Sequence, residues 1–187
     1  MSGRLQVGDS FLLMAALAGF LDESGVAPLF FAAAALHEGG HALAVRACGG
    51  TITLFRLTAL GGVMRYRLPA LSILSDLCIA AAGPLAGIGA AWIAAVLGCY
   101  RFAGASFLLS MLNLLPVRPL DGGQMAYALL RGSRTQLALE IICCLLLGLC
   151  AGVVLLCSGG CSMLLFSGAL AANLQKNLQK CWIGYKI

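Results

Sequence analysis

From residue 141 to residue 175 the chain runs for 35 residues without a charged side chain. At ~1.5 Å per residue, one helix of that length would overshoot the ~30 Å hydrocarbon core of a bilayer. Ser158-Gly159-Gly160 lies inside the run and supplies a turn, so the run reads as two helices. Composition points the same way. Of 187 residues, 61% are hydrophobic and 10% are charged, whereas a soluble domain carries about 25% charged residues. The chain therefore reads as an all-α polytopic membrane protein, and a soluble helical bundle is set aside.

Earlier segments extend the pattern. Residues 11–21 are apolar and are followed by Asp22-Glu23, not by a small-residue cleavage site. They read as the first membrane helix, with residues from about Val7 joining it. A second apolar run, 26–48, is stopped by Gly49-Gly50. Residues 51–66, "TITLFRLTALGGVMRY", are rich in β-branched and aromatic side chains and read as a short β-hairpin or re-entrant segment at a membrane surface. Residues 77–100 are charge-free and hold "AAAGPLAGIGAA", a ladder of small residues that lets helix backbones approach closely. Residues 102–116 form the next apolar run, which the prolines and glycines of "NLLPVRPLDGG" break. The expectation is about six transmembrane helices, with the hairpin after the second.

The net charge of +5 is spread over segment ends, which is not a nucleic-acid footprint. With the N-terminus in the cytoplasm, eleven of the twelve basic residues fall on the cytoplasmic side and only Arg101 falls outside. The C-terminal lysines Lys176, Lys180 and Lys186 are then cytoplasmic too, and Asp22 and Glu23 are outside. The nine cysteines lie mostly in apolar runs without a C-x-x-C pair and read as small hydrophobes.

The two histidines of the chain, His37 and His41, flank Glu38 in "HEGGH" within the second apolar run. Residues i and i+4 of a helix share one face, so both imidazoles can point at one ion. H-E-x-x-H is the zinc pattern of metalloproteases, with the glutamate as general base. Ionisable groups inside a membrane are costly and usually functional, so a pair of merely hydrogen-bonded helix histidines is the weaker reading. Zinc needs a third protein ligand, and no third histidine exists. Among the acids, Asp22 and Glu23 fall on the other side, and Asp9 sits at the N-terminal edge. Asp76 reads as a helix N-cap, and Glu140 as the start of the fifth helix. Asp121, in "PVRPLDGGQ", remains. An ordinary turn aspartate is the competing reading there.

"HEGGH" followed about 75 residues later by "NLLPVRPLDGG" resembles the site-2 protease family of intramembrane zinc metalloproteases (peptidase family M50). "AAGPLAG" resembles the family's central helix, and the wording "NLLPxxPLDGG" is most similar to the stage IV sporulation FB-like branch. The resemblance implies one Zn²⁺ held by His37, His41 and Asp121, Glu38 as the base, and Asn113, Pro116 and Pro119 as substrate-positioning residues. It implies a single intramembrane domain over 1–187 with a catalytic core at about 26–124 and no PDZ or CBS domain. The expected setting is a bacterial cell membrane, and the expected partner is a transmembrane protein substrate. Inhibitory or accessory membrane proteins would leave no motif here. Where the family often has Asn or Ser after its Gly-Pro pair, this chain has Gly87, so no substrate contact is carried over to that position.

A helical substrate hides its carbonyls and must unwind before it can be cut. Residues 51–66 are the β-like stretch able to hold it extended by strand addition. Gly39 and Gly40 are expected to leave room for water beside the histidines. Two other functions compete. A metal transporter would want further ligands along a path, which the sequence lacks. A non-catalytic relative that binds membrane proteins would have no need of Glu38.

Overall fold

Helices make up most of the chain, and glycines decide where several of them stop. The computed structural model describes residues 4–58, 61–70, 72–131, 133–158 and 167–175. These belong to two compact units, Met1–Asn113 and Leu114–Ile187.

The first unit opens with a strand. β1 (Arg4–Val7) pairs in parallel with β2 (Thr51–Thr58), which pairs antiparallel with β3 (Gly61–Arg67), in the order β1-β2-β3. Val7 therefore belongs to a strand and does not extend the first helix, contrary to the sequence expectation. Gly8 makes the switch. Its N–H donates to the Leu57 carbonyl at 3.0 Å, and its own carbonyl accepts from Phe11 and Leu12. A Cβ at Gly8 would stand 2.9 Å from that Leu57 oxygen. The α-helix α1 (Asp9–Leu21) then has 13 residues, about 20 Å at 1.5 Å per residue.

The helix α2 (Ala27–Ala47) occupies the second apolar run. It ends as the sequence anticipated, in a Schellman arrangement. Gly49 takes φ +75° and donates to Arg46, and Gly50 donates to the Val45 carbonyl at 2.8 Å. The β2–β3 hairpin matches the segment read as β-like; its tip, residues 59–60, lies outside the described residues.

The helix α3 (Ile73–Val96) begins four residues before the expected start. Ser72 caps it, its hydroxyl accepting from the Ser75 N–H at 3.0 Å. Asp76 is therefore a first-turn acid facing the positive end of the helix dipole and not the cap. Gly98, at φ +77°, closes α3 with a second Schellman pair of bonds, from Gly98 to Ala95 and from Cys99 to Ala94. The helix α4 (Tyr100–Asn113) follows and stops three residues before Pro116.

The packing of α3 shows which solvent it suits. Its buried face is Ile79, Ala80, Gly83, Pro84, Gly87, Ala91 and Ala94, while Leu85, Trp92, Ile93 and Val96 are more than half exposed. Small residues inside and bulky apolar residues outside suit a helix in lipid, where close backbone approach drives packing. Against α4, the Ser106 hydroxyl donates to the Gly87 carbonyl at 2.9 Å and Ser110 donates to Ser106. A Cβ at Gly87 would lie 2.1 Å from the Ser110 Oγ, so this glycine serves helix packing.

The second unit contains α5 (Asp121–Leu130), α6 (Arg134–Ser158) and a helical stretch at 167–175. The sequence reading missed α5, because Gly122-Gly123 looked like a turn. The sequence expectation also starts the next helix at Glu140, whereas α6 starts at Arg134, so Glu140 lies inside α6 and not at its N-terminus. The expected turn at Gly159-Gly160 and the C-terminal lysines fall outside the described residues. Among the described residues two helices, Ile73–Val96 and Arg134–Val153, are long and apolar enough to cross a bilayer. Among the described cysteines none is in a disulfide.

The α1–α2 turn carries a pH-dependent element. Asp22 accepts from the backbone N–H groups of Ala27, Val26 and Ser24 and from the Ser24 hydroxyl. Led by the Ala27 bond, these hold its pKa at about 2, below the ordinary 3.8. The lowered value means that Asp22 stabilises the fold fully above pH ~4 and loses that contribution as pH falls through about 2. The Tm of the wild type is expected to fall between pH 4 and pH 2, and that of Asp22→Ala to fall less over the same window.

Candidate metal centre

The helix α2 places His37 and His41 one turn apart on one face. Their Nε2 atoms are 3.2 Å apart, and the rings meet edge-on at 81°. Two nitrogens each about 2.0–2.1 Å from one tetrahedral zinc stand about 3.3–3.4 Å apart, so the pair is already at ligand spacing. Without an ion the same spacing accommodates an N–H···N bond. His41 Nδ1 lies 2.7 Å from the Ile79 carbonyl oxygen. A carbonyl can only accept, so Nδ1 carries the proton and Nε2 presents its lone pair. This is the outer hydrogen bond that orients ligating histidines generally.

The helix α3 comes against α2 at the same level. A Cβ at Gly40 would be 2.5 Å from the Ala82 carbonyl oxygen, and one at Gly83 would be 2.2 Å from His41 Nε2 and 2.8 Å from His37 Nε2. Gly83 is therefore part of the wall around the imidazole nitrogens, a role the sequence reading did not assign. Gly40 likewise serves the helix contact and does not leave open room. Gly39, whose Cβ would meet nothing within 4 Å, is the open one of the pair.

Glu38 is half-buried, and its Oε1 accepts from the Gly62 N–H of β3 at 3.2 Å. A Cβ at Gly62 would be 2.6 Å from the Glu38 carboxyl carbon. The hairpin that follows α2 in sequence thus returns to touch the glutamate between the histidines. Gly62 was legible only as a break in a β-like segment.

In the second unit, Asp121 is the first residue of α5 and is 7% exposed. The positive end of a helix dipole favours a carboxylate there. Gly122 and Gly123 follow because loop backbone folds onto this first turn. A Cβ at Gly122 would lie 2.1 Å from the Leu114 oxygen, and one at Gly123 would lie 2.3 Å from the Val117 carbonyl carbon. Pro116 and Pro119 belong to that loop, and the Pro119 carbonyl accepts a long bond of 3.4 Å from Gln124. Asn113 ends α4, in the first unit, with its amide donating to the Leu109 carbonyl of its own helix at 3.0 Å. Of the residues singled out from sequence, His37, Glu38 and His41 come together in the first unit, while Asp121, Pro116 and Pro119 share the second.

The Gly83 contact is testable. Gly83→Ala is expected to lower zinc affinity by at least about tenfold, the scale of a displaced ligand orientation. Gly89→Ala, on the same helix with nothing within 4 Å of its Cβ, is expected to retain it. Competition with a chromophoric chelator measures both.

No protein-family model matches the sequence, and no curated protein matches it. Among solved structures, this one is similar to the site-2 protease from Methanocaldococcus jannaschii, with a TM-score of 0.65 at 21% sequence identity. The match covers 92% of this chain and 89% of that one. The chain has the fold of that site-2 protease.

Proposed function

We propose that the chain is an intramembrane zinc endopeptidase. It hydrolyses a peptide bond in or next to a transmembrane segment of a membrane-protein substrate, near the cytoplasmic face. The observation that carries this reading is the histidine pair: two Nε2 atoms at 3.2 Å, one locked as an acceptor by the Ile79 carbonyl, with Glu38 between them in sequence. The site-2 protease fold supports it.

In this reading His37, His41 and Asp121 would hold one Zn²⁺. The ion, when bound, supplies Lewis acidity and brings the pKa of water at the site toward ~7. Glu38 takes the proton of the attacking water on its carboxylate and later gives it to the leaving amine. Ile79 keeps His41 in the ligating tautomer throughout. Edge strand β3 holds the unwound substrate extended by strand addition, beside the glutamate that its Gly62 contacts. Asn113, Pro116 and Pro119 shape and position the bound segment.

The membrane setting draws on the two described helices long and apolar enough to span and on the outward bulky side chains of α3. Six spans, with both termini cytoplasmic, satisfy the distribution of basic residues along the sequence. The "NLLPVRPLDGG" wording favours a place beside the sporulation FB-like branch, in a bacterial cell membrane.

The test is cleavage of model transmembrane substrates by the protein reconstituted in bilayer nanodiscs. Glu38→Gln should bind zinc as the wild type does and cleave about 10²–10⁴-fold more slowly, the usual contribution of a general base. Undiminished cleavage by that variant sinks the assignment. Asp121→Ala should lower zinc content, measured by mass spectrometry of the purified protein. Full occupancy there points to another third ligand.

A further inference from the structure

The second unit holds a buried ionic group that the proposed chemistry does not use. Glu140, inside α6, has a side chain 1% exposed, and its Oε1 accepts from Arg118 Nε at 2.7 Å and from Gln136 Nε2 at 3.0 Å. Arg118 belongs to the loop that leads into α5, three residues before Asp121. Its guanidinium also lies over the Tyr127 ring of α5, 5.0 Å from the centroid. Its backbone carbonyl accepts from Asn173 Nδ2 at 2.7 Å. One loop residue is thus held at its side chain by α6 and α5 and at its main chain by the 167–175 helix.

Burying the carboxylate of an ion pair is a poor way to gain stability. Arg118 keeps part of its side chain in the open, but Glu140 is desolvated, and that cost offsets much of the attraction. An ionisable residue in a helix apolar enough to span a bilayer points to function. Direction comes from contacts made together: the single charge-assisted bond from Arg118 Nε to Glu140 Oε1, the Gln136 bond to the same oxygen, and the Tyr127 ring beneath the guanidinium. The segment it fixes is short. From Arg118 the chain passes Pro119 and Leu120 to Asp121, and the close backbone approach at Gly122 and Gly123 leaves it little freedom.

We propose that Arg118 and Glu140 are positioning residues. They anchor the 114–120 loop to α6 and so set the orientation of the Asp121 carboxylate at the start of α5. This rests on the reading of Asp121 as a zinc ligand. Neither residue touches the reacting atoms; both act through the loop.

The experiment compares wild type, the double variant Arg118→Met/Glu140→Leu, Glu140→Gln and Asp121→Ala, all full-length in detergent. Three quantities are read: backbone hydrogen exchange in the metal-free protein, Zn²⁺ affinity by chelator competition, and the visible spectrum of the Co²⁺-substituted protein. In the double variant, exchange should rise across residues 116–123 while α3 and α6 keep wild-type protection. Zinc affinity should fall about 10–100-fold, the effect of losing an outer partner of a ligand, and the cobalt bands should shift. A merely structural pair would raise exchange throughout or change nothing at the metal. A folded double variant with wild-type exchange in the loop, wild-type zinc affinity and an unshifted spectrum overturns the proposal. If the double variant does not fold, Glu140→Gln, which keeps shape and an acceptor, decides. A local rise in loop exchange with about tenfold weaker zinc binding supports the proposal, and wild-type behaviour overturns it. Undiminished zinc binding by Asp121→Ala overturns the ligand reading itself. Zinc lost from Asp121→Ala but kept by the Arg118 and Glu140 variants overturns the positioning role alone.

Discussion

The seam between α2 and α3 is the constraint on which the rest of the first unit depends. It exists because two positions have no side chain. Gly40 lets α2 approach the Ala82 carbonyl of α3, and Gly83 lets α3 approach the His37 and His41 nitrogens. At that separation the Ile79 carbonyl comes within 2.7 Å of His41 Nδ1 and settles which nitrogen carries the proton. Widening the seam by one methyl group would lose both effects together, because interiors are packed too closely to absorb the change elsewhere. Helix packing and the chemistry of the imidazoles are thus one requirement and not two.

The second unit solves a different problem, that of holding a loop still. Two glycines at the start of α5 let the 114–118 backbone lie against the first turn. The side chain of Arg118 reaches Glu140 on α6, while its carbonyl is taken by Asn173. The buried Glu140 carboxylate costs desolvation energy that an apolar contact would avoid. What the contacts of Arg118 provide together, with Glu140, the Tyr127 ring and Asn173, is a fixed position for the loop.

Much of this was legible in the sequence, for identifiable reasons. The i, i+4 spacing of His37 and His41 placed both on one helical face, and the structure has them there. Gly49-Gly50 marked the end of α2 because a left-handed residue is what a Schellman closure needs. Periodic apolar runs announced α2, α3 and α6, although α6 starts seven residues before the apolar run read from sequence. Two of the failures share one cause. Gly122-Gly123 was read as a turn, and the structure uses those glycines for backbone contact inside a helix. Gly40 was read as leaving space, and it is where another helix sits. Glycine marks both freedom and crowding, and only the tertiary neighbours say which. The parallel strand β1 was beyond reach for a related reason: its partner lies some fifty residues away. Glu140 looked like a helix-end acid because its partner, Arg118, is 22 residues distant and unrelated by any local pattern.

β1 has a consequence of its own. By pairing with one side of β2, it leaves β3 as the outer strand of the described sheet on the hairpin side. A peptide joining that margin hydrogen-bonds through its backbone, and its side chains alternate between the two faces. A slip of one residue would turn every side chain to the opposite face, so stable placements come in steps of two. On the proposed reading the sheet would then act as a ruler: it would measure a substrate by chain register against a fixed glycine at position 62, and the cut site would follow from spacing more than from the identity of any one residue beside it.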